Sequence, residues 1–168
     1  MNIRQAVIHD SQQLVQLFTK LDNETNFMLF ESGERKITVE MQVKQMQSFT
    51  DSTSQVMFVA ENQYGEIVGF IVGIGGNFMR NKHSLYCVIG VLLSEQGQGI
   101  GKKLLGQLEC WAQIYSFHRL ELTVMEHNQS AINLYQSCGF YTEGVKRDSL
   151  KVAGEFVNEL YMSKLLTA

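Results

Sequence analysis

The sequence predicts a single mixed α/β domain, on three observations. Strand-like and helix-like segments follow one another along the whole chain, no internal repeat recurs, and no linker divides it. At 168 residues the chain has the length of one domain and can bury well over half of its unfolded surface. Hydrophobic residues make up 45% and charged residues 18%, ordinary globular usage that argues against disorder and fibrous repeats. The net charge of -3 argues against broad nucleic-acid binding but leaves room for a local basic site. The start, Met1-Asn2-Ile3-Arg4-Gln5, lacks a signal peptide's apolar stretch, and no later run approaches the ~20 apolar residues that span a bilayer. A cytoplasmic protein is expected. Cys87, Cys110 and Cys138 are irregularly spaced and contain no Cys-x-x-Cys pair, so no metal is expected and each reads as a reduced, buried thiol.

The chain has no proline, so glycine and polar clusters mark the boundaries. Residues 2 to 7 alternate as a strand. Asp10 or Ser11 then caps a helix with the apolar stripe Leu14, Leu17, Phe18 and Leu21. Residues 23 to 35 read as loop, and residues 36 to 48 recover helical spacing through Ile37, Met41, Lys44 and Met46, less cleanly. Gln55 to Ala60 and Ile67 to Gly73 are rich in β-branched and aromatic residues and are separated by a turn-like Glu61 to Glu66, which predicts an antiparallel hairpin. Ser84 to Leu92 is a further strand, and a helix from Ile100 to about Tyr115 carries Leu104, Leu105, Leu108 and Ala112 on one side. Residues 118 to 124 alternate again, Asn128 opens a short helix, and Gly139 stops it. Strands near 140 to 147 and 155 to 162, joined by polar Asp148 to Gly154, complete the chain.

Between the strand at 84 to 92 and its following helix lies Gln96-Gly97-Gln98-Gly99-Ile100-Gly101. A strand that ends in glycines and feeds a helix offers free backbone N–H groups and the positive end of a helix dipole, which is an anion site. Without Cβ atoms, a pyrophosphate approaches the main chain closely, and Lys102 and Lys103 add charge beside it. The spacing excludes two nucleotide loops. A Walker loop needs four residues before its Gly-Lys pair and a following Ser or Thr, whereas Gly97 to Gly101 encloses three and Lys103 follows Lys102. A dinucleotide fingerprint needs Gly-x-Gly-x-x-Gly early in a βαβ unit, and here Gly-x-Gly-x-Gly follows antiparallel segments. Taken alone, the glycines equally suit a tight strand-to-helix turn.

The company of that turn decides between these readings. Gln96-x-x-Gly99-x-Gly101 resembles the acetyl-CoA signature of the Gcn5-related N-acetyltransferase (GNAT) family. Asn128-Gln129-Ser130-Ala131-Ile132-Asn133-Leu134-Tyr135 followed by Cys138-Gly139-Phe140 is similar to that family's second block. The ends, Ile3-Arg4-Gln5-Ala6 and Glu159 to Leu166, agree as well, so the resemblance covers nearly the whole chain. It implies one GNAT domain over residues 1 to 168, with a mixed, mostly antiparallel central sheet of about seven strands flanked by about four helices.

The resemblance also implies roles. Ile89, Gly90, Val91 and Leu92 offer main-chain groups to the pantetheine arm of acetyl-CoA, and Gly97, Gln98, Gly99, Ile100, Gly101 and Lys102 hold its pyrophosphate. Asn128 bonds the pantetheine, and Tyr135 stands near sulfur, where a phenol protonated at neutral pH acts as general acid toward the leaving thiolate. Otherwise Tyr135 is an amphipathic packing residue with its hydroxyl at the surface. A base is harder to assign, because Thr123 stands where the family's ribosomal-protein branch has a glutamate. Glu121, two residues earlier on the same strand face, is the preferred candidate, with Glu126, His83 and His127 as rivals.

In this fold the acceptor enters opposite the cofactor. Asp22 to Glu31 combines carboxylates with Phe27, Met28 and Phe30, suited to a cationic amine. Acetyl transfer to a primary amine of a small molecule or peptide is therefore expected. The competing readings are a non-catalytic acyl-CoA sensor on the same fold and an O-acyl or longer-chain acyltransferase. Exposed sheet edges are compatible with a homodimer.

Overall fold

The expected strands form as β1 (Asn2–Gln5), β2 (Gln55–Glu61), β3 (Ile67–Gly75), β4 (Ser84–Val91), β5 (Arg119–Met125), β6 (Tyr141–Val152) and β7 (Glu155–Leu165). The helices are α1 (Ser11–Glu24), α2 (Val39–Phe49), α3 (Ile100–Ile114) and α4 (Gln129–Ser137). The computed structural model describes residues 1–166; the last two residues of the expected domain lie outside it. All seven strands join one sheet in the order β1-β2-β3-β4-β5-β7-β6. Every neighbouring pair is antiparallel except β4 and β5, which run parallel. This is the mixed, mostly antiparallel sheet with four helices that the sequence predicts.

Two glycines report which helix covers which face. A Cβ on Gly73 of β3 would lie 2.8 Å from Leu108 Cδ1 of α3 and 2.8 Å from Leu85 Cδ2. A Cβ on Gly90 of β4 would lie 2.8 Å from Leu21 Cδ1 of α1. Helix α3 therefore packs on one face and α1 on the other. Because strand side chains alternate, Leu85, Cys87 and Ile89 share the α3 face, and Tyr86, Val88 and Gly90 share the α1 face. Helix α1 buries its expected stripe of Leu14, Leu17, Phe18 and Leu21 against the sheet.

The sequence reading needs correction at three places. Helix α2 begins at Val39 rather than near residue 36, because Thr38 is its N-cap and accepts the Met41 amide at 3.2 Å. Its buried side is Gln42, Met46 and Phe49, so a polar residue interrupts the apolar stripe and blurs the period. The polar segment from Asp148 is not a loop. It continues β6 to Val152, and the turn narrows to Ala153 and Gly154, with φ of 50° and 89°. Two such positive values match the primed turns that close two-residue hairpins. Of the cysteines, only Cys87 is buried; Cys138 is half-buried and Cys110 is exposed on α3.

Gln42 carries a testable cost. It is fully buried, and neither its Nε2 nor its Oε1 finds a partner among the described residues. An unpaired buried amide costs roughly 1–3 kcal/mol. Gln42→Leu, close in volume, is expected to raise the denaturation midpoint, and an unchanged or lower midpoint in thermal or urea unfolding would refute this.

Candidate functional site

Parallel strands β4 and β5 pair only at Ser84 to Tyr86 with Arg119 to Glu121. Beyond those three positions they part, and a cavity of about 990 Å³ opens between them. It runs from the glycine-rich turn, past α4, to the connection between α1 and α2.

At one end the turn is built as an anion cradle. Gly97 and Gly99 have φ of 77° and 75°, the left-handed region that side chains rarely adopt. Gly99 is the N-cap of α3, with no side chain capping it. Its carbonyl takes the Lys103 amide at 3.1 Å, and the amides of Gly97 through Lys102 have no partner among the described residues. A run of free N–H groups at a helix start fits a pyrophosphate. Gly101 has a different role, since a Cβ there would stand 2.7 Å from Leu134 Cδ2 of α4. It allows α4 to pack against the first turn of α3.

Along the gap, strand alternation sorts the four residues expected to offer main-chain groups. The Leu92 amide donates to the Val68 carbonyl of the preceding hairpin at 3.0 Å, and Gly90 shares that orientation. Ile89 and Val91 turn their backbone groups to the gap; the Val91 carbonyl already receives Gln96 Nε2 at 3.2 Å. Gln96 thus braces the turn against the strand that feeds it.

Helix α4 lies on the α3 side of the gap. Asn128, its N-cap, accepts the Ala131 amide on Oδ1 at 3.2 Å, which leaves the Nδ2 donor free at the cavity wall. Tyr135 is buried against Phe140, with ring centroids 5.9 Å apart. Its hydroxyl has no hydrogen-bond partner among the described residues, and the side chain lines the cavity beside Cys87. Burial drives the phenol's pKa well above its usual value, with Cys87 and Tyr86 adding to the effect. The Cys87 thiol is likewise pushed up to about 12 by burial.

The base candidates fare differently. Glu121 accepts Arg119 Nε at 2.7 Å and does not line the cavity. The same arginine holds Glu143, whose carboxyl falls to about 2 because of the Arg119 and Ser163 hydrogen bonds. Glu126 Oε2 accepts Asn158 Nδ2 at 3.1 Å. The His127 ring lies 5.2 Å from that of Phe27 and the His83 ring 6.3 Å from that of His118, both pairs tilted. None of these three lines the cavity either.

The sequence reading missed two residues on the α1 side. Tyr86 of β4 hydrogen-bonds Thr123 of β5 at 3.1 Å between their hydroxyl oxygens. Glu159 of β7 is buried at 8% exposure and lines the cavity. Ser149 donates to its Oε2 at 2.8 Å, and Lys146 Nζ lies 3.4 Å away. A carboxylate inside the otherwise apolar run Leu160-Tyr161-Met162 was the available signal.

From the connection after α1, Phe27, Met28, Leu29 and Phe30 line the opposite end of the cavity. Two of its carboxylates are committed elsewhere. Asp22 pairs with Arg35 at 2.6 Å, and Glu24 accepts the Leu93 amide at 3.1 Å. Arg35 in turn lies over Phe18 and Phe30, at 5.0 and 4.3 Å from the ring centres. Among the described residues the carboxylates lining the cavity are Glu95, beside the glycine turn, and Glu159.

Fold and site together define an acyltransferase-type chain, and residues 13–140 match the acetyltransferase (GNAT) family. The chain belongs to that family. Over 108 residues it is 26% identical to the spermidine N(1)-acetyltransferase of Vibrio cholerae, an alignment that covers 62% of this chain and 61% of that protein. The chain thus spans about six tenths of that curated relative. A GNAT-family acetyltransferase structure from Streptococcus pneumoniae superposes with a TM-score of 0.94 at 28% identity, covering 99% of both chains. The phosphinothricin acetyltransferase of Sinorhizobium meliloti, in complex with acetyl-CoA, shares the fold at a TM-score of 0.84 and 18% identity, covering 98% of this chain and 88% of that one.

Proposed function

We propose that this chain transfers the acetyl group of acetyl-CoA to a primary amine by direct attack, with Tyr135 as general acid and a polyamine-class cation as acceptor. The observation that carries the reading is the buried Tyr135 side chain, whose hydroxyl finds no hydrogen-bond partner among the described residues, on the wall of a cavity that joins the glycine turn to an aromatic loop.

The thioester supplies an activated acyl carbon. The free amides of Gly97 through Lys102 bind the pyrophosphate, and Ile89 and Val91 align the pantetheine as a neighbouring strand would be aligned. Asn128 Nδ2 is available to a pantetheine carbonyl. Tyr135 donates a hydrogen bond that strengthens as negative charge develops on sulfur. At the other end, Phe27 and Met28 suit a cation through ring face and sulfur, and Glu159 adds a carboxylate partly paired with Lys146, while the Phe30 ring is taken by Arg35. The Vibrio cholerae relative's name, spermidine N(1)-acetyltransferase, supports the same acceptor class.

The test is release of free thiol from acetyl-CoA against a panel that includes spermidine, spermine, amino acids and peptides. Amine-dependent release, greatest with the polyamines, is expected. Tight acetyl-CoA binding without thiol release across the panel would overturn the reading in favour of a non-catalytic sensor.

A further inference from the structure

Residues 25–38 join α1 to α2 without a helix or strand of their own, and a connection of that length is uncommon unless it serves a site. Phe27 and Met28, at the acceptor end of the cavity, belong to it. Several of its hydrogen bonds are internal. The Glu31 amide donates to Glu34 Oε2 at 2.9 Å, the Glu34 amide to the Glu31 carbonyl at 3.0 Å, and Lys36 Nζ to the Gly33 carbonyl at 2.9 Å. Two side-chain links reach α1 among the described residues. Ser32 donates to Asn23 at the surface, and Arg35 pairs with the buried Asp22.

We propose that Arg35 is a positioning residue of the acceptor site, clamping this connection to α1 so that Phe27 and Met28 are held at the cavity wall. This rests on the N-acetyltransferase reading and adds to it the group that shapes the acceptor end.

The clamp is built in layers. Phe70 of β3 meets Phe18 of α1 edge to face, with ring centroids 4.9 Å apart. The Arg35 guanidinium lies 5.0 Å from the Phe18 centroid and 4.3 Å from that of Phe30. It therefore bridges a ring fixed in the core and a ring carried by the connection. All four side chains line the cavity. Asp22 follows Phe18 by one helical turn, on the same buried face of α1. It accepts Arg35 Nε on Oδ2 at 2.6 Å and Nη2 on Oδ1 at 3.0 Å, a fork that fixes the plane of the guanidinium. The Asp22 side chain is 2% exposed and that of Arg35 18%, so water competes little for the pair. The orientation of the guanidinium, and with it of Phe30, is thus set by α1 rather than by the connection. Asp22 also offsets the arginine's charge, which keeps this wall compatible with a cationic acceptor. A lysine would not substitute, because an ammonium has neither the fork nor the flat face.

The test uses the full chain with acetyl-CoA and whichever amine of the panel turns over fastest. Wild-type thiol release judges the N-acetyltransferase reading first, and its absence with every amine overturns both. Given turnover, Arg35→Lys separates the clamp from the charge, since it keeps a cation beside Asp22. It is expected to raise the KM for the amine about tenfold, with kcat changed less than about threefold and calorimetric acetyl-CoA affinity unchanged. Hydrogen exchange should quicken over residues 25–38 and stay as in wild type over α1 and α2. Asp22→Asn/Arg35→Met removes both charges, so neither is stranded in the interior; it should show the same rise in KM. Phe30→Leu removes the outer ring, and combining it with Arg35→Lys should add little to either KM effect, as for members of one unit. A wild-type KM in Arg35→Lys, unaltered exchange over residues 25–38, or KM effects that multiply in Phe30→Leu/Arg35→Lys would each overturn the clamp. So would a loss of acetyl-CoA affinity equal to the rise in KM, the mark of general damage to the fold. All four results leave the N-acetyltransferase reading intact.

Discussion

Tyr135→Phe is expected to lower kcat about ten- to a thousand-fold while acetyl-CoA affinity changes by less than about twofold. The substitution removes one oxygen and keeps the ring, so the packing on Phe140 persists. Because the hydroxyl has no protein partner among the described residues, its loss leaves no buried group unpaired. What remains is its proposed hydrogen bond to the leaving sulfur, which would strengthen only as charge develops there. Such a group acts on kcat rather than on binding. The pKa direction adds a second readout. Burial raises the Tyr135 pKa, so the protonated, donating form persists to higher pH than an ordinary phenol allows. The alkaline limb of the wild-type profile should therefore not come from Tyr135. Unchanged kcat in Tyr135→Phe would remove the residue from the chemistry.

The parts of this site that were legible in the sequence are those encoded by neighbours in the chain. Gly97, Gly99 and Gly101 mark a strand-to-helix turn by spacing, and Asn128 is a helix cap in any context. Tyr135 follows from the resemblance of the Asn128 to Phe140 block to the family's second motif. The unread parts depend on strand pairing. Glu159 reaches the cavity only because β7 inserts between β5 and β6, which places it opposite Met125. Nothing local announces that register. The reach of β6 was hidden for another reason. Its side chains are largely exposed and its register shifts between Lys146 and Leu150, so neither alternation nor an apolar run survives there. In α2, the buried Gln42 had a similar effect on helical periodicity. Glu121 is an acid on the same strand face as Thr123, and its pairing with Arg119, two residues earlier on that face, holds it away from the cavity.

Gly101→Val is expected to raise the KM for acetyl-CoA by about tenfold or more and to lower the melting temperature by several degrees. At this position even a Cβ would lie 2.7 Å from Leu134 Cδ2, a separation that forces the leucine to move. Valine adds two further carbons and is stiff about χ1. Leu134 itself lines the cavity, one residue before Tyr135, so displacing it shifts the cavity wall and the proposed general acid together. The same substitution adds β-branched bulk beside the free amides of the first helical turn, where the pyrophosphate is proposed to sit. Gly106→Ala is the control, because it lies on the same helix, is exposed, and meets nothing within 4 Å. There, replacing glycine inside a helix should stabilise by about 0.5–1 kcal/mol and leave the KM alone. If the two variants behaved alike in stability and in KM, close packing of α4 on α3 would not be what organises the site. A selective loss in Gly101→Val would tie cofactor binding to that contact and make the third glycine of the turn a packing residue, distinct from the two whose backbone forms the cradle.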